Sequence, residues 1–169
     1  MPLRLRPLRL EDYDAAMDAH RAMLTEHFTM LLGWSDDLDW SEYLRSIDEN
    51  SRSTTVSVER VPASVLVAEV DGVIVGRASI RFALNDWLAL RGGHIGYCVL
   101  REHRRRGYAT EILRQALIIA RSHGVERVLV TCDDTNLASA AVIERCGAIL
   151  ERVVAPSDGD VQFRRYWIE

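Results

Sequence analysis

The sequence predicts one α/β domain, residues 1–169, built around a mixed β-sheet. Three observations support this prediction. A chain of 169 residues has the length of a single domain and can bury roughly 70% of its unfolded surface. A strand, a long amphipathic helix and another strand follow one another over residues 94–132, and such a crossover joins parallel strands. The pair Asp71-Gly72 lies between two β-branched runs and predicts an antiparallel hairpin.

The first part of the chain predicts a strand and two helices. Leu3, Leu5 and Leu8 lie among arginines in the pattern of a strand. Glu11-Asp12 then begins a helix, since acidic residues favour the first turn. A second, short helix is predicted over residues 40–47.

The centre of the chain predicts three strands and the longest helix. The strands cover residues 65–70, 73–83 and 94–100, and the first two form the hairpin. From Ala109, apolar residues recur at i, i+3, i+4, i+7, i+8 and i+11, which forms one continuous apolar stripe. Gly124 ends this helix as the residue just past its last turn.

The last part of the chain predicts a buried strand, a helix and a hairpin. The strand covers residues 127–132, and the helix covers 136–146 and stops at Gly147. Two antiparallel strands, 148–154 and 161–168, close the chain. Their turn is predicted at Ser157-Asp158-Gly159, since glycine after aspartate favours a tight turn. The whole chain therefore predicts about seven strands and about four helices.

Composition excludes several function classes. All 21 basic residues are arginines, so no chemistry that needs a lysine, such as a Schiff base, is available. The net charge of −4 disfavours nucleic acid and anionic lipid as partners. The three cysteines form no Cys-x-x-Cys pair, which disfavours a metal site or a disulfide framework. With 48% apolar residues, no long apolar run and no secretory signal at residues 1–6, we expect a cytoplasmic protein.

The most informative motif precedes the long helix. It reads Arg104-Arg105-Arg106-Gly107-Tyr108-Ala109. The first turn of a helix has unpaired N–H groups and the positive end of the helix dipole, and Gly107 lets a large anion approach the backbone. These features together predict a pyrophosphate site. A solvated basic loop and a nucleic-acid patch are the alternative interpretations of the three arginines.

This motif resembles the acyl-CoA motif of the GNAT superfamily of acyl-CoA-dependent N-acetyltransferases. The resemblance covers residues 65–150 and rests on Val99-x-x-x-x-Arg104-x-x-Gly107-x-Ala109 and on Asn136 followed eleven residues later by Gly147. Two further stretches, Gly92-Gly93-His94-Ile95-Gly96-Tyr97 and Arg165-Tyr166-Trp167-Ile168, are similar to a bacterial subgroup of predicted acetyltransferases. The resemblance implies a GNAT fold, in which two parallel strands of the mixed sheet splay apart.

The resemblance also implies a site for acetyl-CoA, without a metal. Backbone groups of Cys98 and Val99 are expected to pair with the pantetheine arm, and the Val99 N–H to polarise the thioester carbonyl. Asn136 is expected at the pantetheine or at a water on the acceptor side. The complete set of residues implied for the cosubstrate is Cys98, Val99, Arg104, Arg105, Arg106, Gly107, Tyr108, Ala109, Thr110, Asn136 and Ser139.

The groups that move protons are less well specified. In many relatives a tyrosine seven residues after the asparagine is the acid, and that position is Ile143 here. A glutamate used as base by some relatives falls on Gly93, next to His94, whose reference pKa suits a base at neutral pH. We therefore predict His94 as base, with Tyr97 as the other catalytic candidate. A histidine hydrogen-bonded at a strand end is the alternative, and Glu69 and Asp133 are the next candidates for the base.

Side chains for the acceptor are predicted near the hairpin. Arg81, Asn85 and Glu69 are the candidates, and Trp34, Trp40 and Trp87 belong to the pocket or to the core. Direct attack by the amine needs no enzyme nucleophile, so an acetylated Cys132 is disfavoured.

The predicted function is transfer of acetyl from acetyl-CoA to a primary amine of a small molecule or a protein N-terminus. A non-catalytic CoA-binding module and a nucleic-acid-binding domain are the alternatives, and a homodimer is left open.

Overall fold

Residues 2–155 and 161–169 are described by a computed structural model, and they form two antiparallel sheets. The first sheet has the strand order β1-β2-β3-β4 and the second has the order β5-β7-β6. The seven strands are β1 (Arg4–Pro7), β2 (Ala63–Val70), β3 (Val73–Arg81), β4 (Ile95–Val99), β5 (Val128–Asp133), β6 (Ile149–Val154) and β7 (Phe163–Ile168). The predicted turn at 157–159 lies outside the described residues.

Five α-helices lie within the described part of the chain. They are α1 (Tyr13–Leu24), α2 (Trp40–Arg52), α3 (Asp86–Leu90), α4 (Tyr108–Ser122) and α5 (Leu137–Arg145). The short α3 was not predicted, although Asn85 caps it by accepting a hydrogen bond from the Leu88 N–H at 3.0 Å. Helix α2 is longer than predicted, because an ion pair between Asp48 and Arg52 at i, i+4 continues its exposed face.

The prediction of a single mixed sheet differs from the observed arrangement. Strand β5 pairs with β7, and no ladder joins it to β4 among the described strands. The two strands meet only where they begin, where the His94 N–H donates to the Leu129 carbonyl at 2.7 Å. The α/β architecture and the number of strands agree with the prediction.

Each face of the first sheet packs against different helices, because alternate residues of a strand point to opposite faces. Ala78 and Ile80 of β3 belong to a core that includes buried residues of α4 and α5. Val67 of β2 and Cys98 of β4 belong to a second core with α1 and α2. The two faces of this sheet therefore have separate apolar cores.

Candidate functional site

A cavity of about 540 Å³ lies at the carboxyl ends of β4 and β5. The end of α1, the loop before α4 and the first turns of α5 form its walls. It collects ten of the eleven residues predicted for acetyl-CoA: Cys98, Val99, Arg104, Arg105, Gly107, Tyr108, Ala109, Thr110, Asn136 and Ser139. Arg106 does not line it, and its Nη2 donates to the Glu102 carbonyl at 3.3 Å.

The turn before α4 exposes backbone N–H groups to this cavity. Gly107 precedes the helix with a φ of +81°, and Arg105 also has a positive φ of +63°. The first intrahelical bond runs from the Glu111 N–H to the Gly107 carbonyl at 3.2 Å, and no side chain caps the preceding N–H groups. These unpaired donors and the helix dipole favour an anion at this point. A Cβ added at Gly107 would meet no atom within 4 Å, so the space above the turn is open.

The outer edge of β4 also faces the gap between the sheets. The Leu100 N–H donates to the Val75 carbonyl, and the Arg81 N–H donates to the His94 carbonyl. Bonded pairs alternate in an antiparallel ladder, so the backbone groups of Tyr97 and Val99 point away from β3. The same alternation directs the Cys98 backbone towards β3. Of the two backbone positions predicted for pantetheine, Val99 therefore presents its groups to the gap.

Arg104 is held by the protein itself. Its Nε donates to the Val99 carbonyl at 3.0 Å, and its Nη2 contacts Glu26 Oε2 at 2.8 Å. Glu26 also lines the cavity, and it was missed because it lies 78 residues away in the chain. The Arg104 charge is thus compensated, which leaves Arg105 and the helix N-terminus as the positive groups of this wall.

Two polar residues of α5 face β4 across the cavity. The Tyr97 hydroxyl lies 2.9 Å from Ser139 Oγ. Burial raises the pKa of Tyr97 to about 12, so the phenol is protonated at neutral pH. Asn136 caps α5 by accepting a hydrogen bond from the Ser139 N–H at 3.0 Å. The arrangement places a neutral proton donor in the cavity.

The three cysteines are all free thiols. Burial raises the pKa of Cys132, of Cys98 and of Cys146, which keeps each of them in the thiol form. A thiol of raised pKa is a poor nucleophile at neutral pH, because the thiolate is the reactive species. This environment disfavours a covalent acetyl-cysteine.

His94 lies outside this cavity, at the contact between the two sheets. Only 8% of its surface is exposed, and its Nδ1 accepts a hydrogen bond from the Leu129 N–H at 2.9 Å. Burial and the neighbouring Arg81 lower the pKa of His94 to about 4. Its ring is therefore neutral at pH 7, and its position is that of a residue hydrogen-bonded at a strand end. The next candidate, Asp133, ends β5 and forms an ion pair with Arg91 at 3.3 Å.

Ile143 is fully buried in the core with α4, and does not reach the cavity. The residues of α5 that line the cavity are Ala138, Ser139, Val142 and Arg145. A tyrosine at position 143 would point into this packed core rather than across the cavity.

A second cavity of about 500 Å³ lies between α2, β3 and α3, on the sheet face from which the Arg81 side chain extends. Arg81, Asn85 and Trp87 line it, as does Glu59. The side-chain nitrogen of Asn85 donates to the carbonyls of residues 57 and 58, so its contacts hold the loop before β2.

The remaining acceptor candidates lie elsewhere. Glu69 is in neither cavity, since it is buried beside β1 and paired with Arg4 and Arg6 at 2.5 Å each. Trp34 and Trp40 pack edge-to-face with a centroid distance of 5.7 Å in the α1–α2 core region. Arg77, which the sequence does not single out, is 3% exposed on β3 and lines neither cavity. An arginine between apolar residues of a predicted strand is the indication that the sequence offers.

Comparisons with known proteins identify the class of protein. The model of the acetyltransferase (GNAT) domain family matches residues 2–149, so the chain belongs to the GNAT acetyltransferase family. This confirms the family that the motif predicted. A search of curated proteins finds no significant match.

Solved structures share the fold over nearly the whole chain. Mycobacterium smegmatis RimJ, in complex with CoA-disulfide, is 21% identical with a TM-score of 0.70 and covers 98% of this chain and 81% of its own. The RimL ribosomal L7/L12 α-N-protein acetyltransferase is 21% identical, with a TM-score of 0.66 and coverages of 98% and 89%. The Salmonella typhimurium yncA structure with its cofactor acetyl-CoA is 18% identical, with a TM-score of 0.63 and coverages of 99% and 93%.

Membrane-spanning helices and metal-binding clusters are both absent from residues 2–155 and 161–169. No helix among them is long and apolar enough to cross a membrane. Nor do they contain a group of three or more His, Cys, Asp or Glu side chains placed to hold a metal ion.

Proposed function

We propose that this protein transfers the acetyl group of acetyl-CoA directly to a primary amine of a small molecule or a protein N-terminus. The observation that supports this most strongly is the 540 Å³ cavity, where the uncapped start of α4 adjoins the edge of β4 that faces away from β3. The acetyl-CoA bound to yncA and the α-N-protein activity in the RimL name agree with this proposal. The three free thiols suit a reducing compartment, so we propose a cytoplasmic location.

The described residues offer partners for both the pyrophosphate and the pantetheine of such a ligand. The N–H groups at the start of α4 would hold the pyrophosphate, with Arg105 beside them. The backbone of Tyr97 and Val99 would pair with the pantetheine amides, as an added strand does. The ligand would thereby fill the gap between β4 and β5, which is the role of the splayed parallel pair in this family.

The chain's own groups would then support direct transfer. The Val99 N–H would donate to the thioester carbonyl and stabilise the negative charge that develops on it. As the C–N bond forms and the C–S bond breaks, the Tyr97 hydroxyl would protonate the leaving thiolate and be reprotonated by water. The amine would lose its proton to water at the cavity mouth, since His94 lies outside it.

A pair of glycine variants tests the binding part of this proposal. Gly107→Val removes a residue with φ of +81° at the start of α4, and Gly124→Val removes one with φ of +85° at its end. A Cβ added at either position meets no atom within 4 Å, so both variants carry a similar backbone penalty. We expect Gly107→Val to abolish acetyl-CoA binding in calorimetry, and Gly124→Val to retain it. Equal affinities in the two variants would contradict the proposed site.

Thiol release from acetyl-CoA in the presence of an amine library tests the catalytic part. We expect release with at least one primary amine. Tyr97→Phe should lower the rate by about 10²-fold with little change in CoA affinity, because general acids contribute 10²–10⁴-fold. Exposed Tyr13 on α1 provides the control substitution, Tyr13→Phe. Stoichiometric binding without release for any amine would instead indicate a non-catalytic CoA-binding module.

A further inference from the structure

Two arginines on β3, the buried Arg77 and the half-buried Arg81, have no acidic partner in the described part of the chain. Arg77 and Arg81 are two residues apart in the strand, so both side chains point to the face opposite α4. Among the described residues, no carboxylate forms an ion pair with either guanidinium. Arginine stays charged when it is buried, and an unpaired buried charge is costly. The position of each guanidinium therefore needs an explanation.

Arg77 is satisfied by the protein backbone. It is 3% exposed, and its Nε and Nη2 donate to the carbonyls of Met30 and Thr29 at 3.1 and 2.6 Å. Its guanidinium also lies 4.9 Å from the centre of the Phe28 ring. These contacts hold the α1–α2 connection against the sheet, which is a structural role.

Arg81 is only partly satisfied. Its Nη1 donates to the carbonyls of Gly92 and Gly93, at 3.3 and 3.0 Å. Its Nε and Nη2 have no hydrogen-bond partner among the described residues, and the side chain lines the 500 Å³ cavity. Burial and the neighbouring Arg77 lower the pKa of Arg81 to about 10, which still leaves it charged at neutral pH. A charged donor with unused N–H groups thus borders this cavity.

The strand next to Arg81 leaves room for a ligand. Gly96 of β4 lies opposite Ser79 of β3, on the same sheet face as both arginines. Gly96 is partly exposed, and a Cβ added there would lie 3.8 Å from Arg77 Nη1 and 4.0 Å from Arg81 Nη1. Cys98, two residues further along β4, lines the acetyl-CoA cavity. Gly96 therefore lies beside the Arg81 guanidinium and about 7 Å along the strand from Cys98.

We propose that the acceptor is a small amine that carries its own carboxylate, and that Arg81 binds this carboxylate above Gly96. The inference rests on the proposed function, since it assigns the acceptor of the same reaction. A guanidinium and a carboxylate form paired, charge-assisted hydrogen bonds, which would use the N–H groups that Arg81 leaves unused. A cavity of about 500 Å³ has the size of a small-molecule site rather than a peptide groove. Glu59 lines the same cavity, and its carboxylate would attract an ammonium and repel a second anionic group.

Matched amines test the proposal. The panel holds the standard amino acids and β-alanine, each beside its own carboxamide, and thiol release from acetyl-CoA is measured as kcat/KM. A carboxylate raises the pKa of a nearby amine, so the carboxamide has more neutral amine at pH 7, and a preference for the acid cannot come from amine reactivity. We expect the wild-type protein to prefer at least one acid over its carboxamide by about 10–100-fold, the range for a hydrogen bond to a charged group.

Three variants locate the source of this preference. Arg81→Gln should remove it, Arg81→Lys should retain part of it, and Gly96→Ala should weaken it by filling the space between the guanidinium groups at ordinary contact distance. Arg121→Gln is the control, because Arg121 is exposed in the last turn of α4 and lines neither cavity. Its acid preference should match that of the wild type. Equal rates for acids and carboxamides in the wild-type protein would overturn the proposal, as would an unchanged preference in Arg81→Gln.

A binding measurement separates this inference from the proposed function. If no amine supports thiol release, the proposed function fails, and calorimetry with the same acids and carboxamides decides the inference by itself. Acid binding that is lost in Arg81→Gln and Gly96→Ala would support the carboxylate site. Absence of acid binding to the wild-type protein would overturn it, and so would turnover of acidic peptides in preference to every free amino acid.

Discussion

Single residues divide into those that face a cavity and those that hold the sheets together. Tyr97 and His94 were both predicted as catalytic residues, and they lie three residues apart on the same segment. Tyr97 reaches the cavity and meets Ser139, whereas His94 bonds to both backbone groups of Leu129. The difference arises because a strand directs neighbouring positions in different directions, so sequence proximity to a motif does not place a side chain in its site.

The buried His94 should make stability depend on pH. Its pKa is about 4 in the folded chain, against about 6.5 when unfolded, so the unfolded state binds more protons between these values. The contribution is therefore complete above about pH 6.5 and is lost as the pH falls towards 4, with a maximum of about 3 kcal/mol. We expect His94→Asn, which keeps an acceptor for the Leu129 N–H but does not titrate, to flatten the free energy of unfolding across this window in urea titrations.

His20 provides the control for this experiment. Burial also lowers the pKa of His20, and its Nδ1 accepts from the Leu31 N–H at 3.2 Å. His20→Asn should remove only its own share of the pH dependence and leave that of His94. The prediction is contradicted if His94→Asn leaves the stability profile unchanged while the rate of acetyl transfer loses its dependence on a histidine pKa. That result would make His94 the base.

At the scale of elements, helix α5 is the clearest case of a side chain placed by packing. Its Ala140 and Ile143 are buried in the core, while Ser139 and Val142 face the cavity. The spacing from Asn136 identifies position 143 correctly as the family's tyrosine position. It does not show that isoleucine there is enclosed by α4, because packing depends on how two helices far apart in the chain approach each other.

We therefore expect Ile143→Tyr to destabilise the protein rather than to supply an acid. The larger, polar side chain must enter a site with no exposed surface, and such overpacking costs about 1–3 kcal/mol. Thermal melts and urea titrations measure the loss, and Ile143→Leu, which has the same volume, is the control and should cost less. Unchanged stability together with faster thiol release would show that position 143 does reach the reaction site.

Elements with strong periodicity were predicted correctly, and arrangements that depend on distant contacts were not. The apolar stripe of α4 and the hairpin of β2 and β3 are local patterns, and both are present near the expected bounds. The pairing of β5 with β7, in place of β4, depends on residues 30 to 40 positions apart and has no local pattern. In the same way, ten residues predicted for the cosubstrate line one cavity, because the motif that predicts them specifies their relative positions. No motif supports Glu69 or Asn85 as acceptor residues; Glu69 pairs with Arg6, and Asn85 caps α3.

At the scale of the whole molecule, the two sheets are joined at one end and separated at the other. The backbone bond from His94 to Leu129 lies where β4 and β5 begin, and the cavity lies where they end. Helix α4 packs on β3 and β4 of the first sheet, whereas α5 contacts both α4 and strand β5 of the second sheet. A ligand in the cavity would contact both halves of the molecule. Its binding should therefore stabilise the folded state as a whole.

Thermal melts with and without acetyl-CoA measure that stabilisation. At a concentration of 100 times Kd, a ligand that binds only the folded state adds about 2.7 kcal/mol, which corresponds to roughly 5–11 °C in Tm for a domain of this size. We expect acetyl-CoA to raise the Tm of the wild-type protein and of Gly124→Val by such an amount, and to leave Gly107→Val unchanged. Hydrogen exchange should slow at the Val99 amide, which faces the gap, and not at Leu100, which already bonds to Val75. A rise in Tm without slower exchange at Val99 would place the ligand elsewhere on the molecule, since only a ligand between β4 and β5 covers that amide.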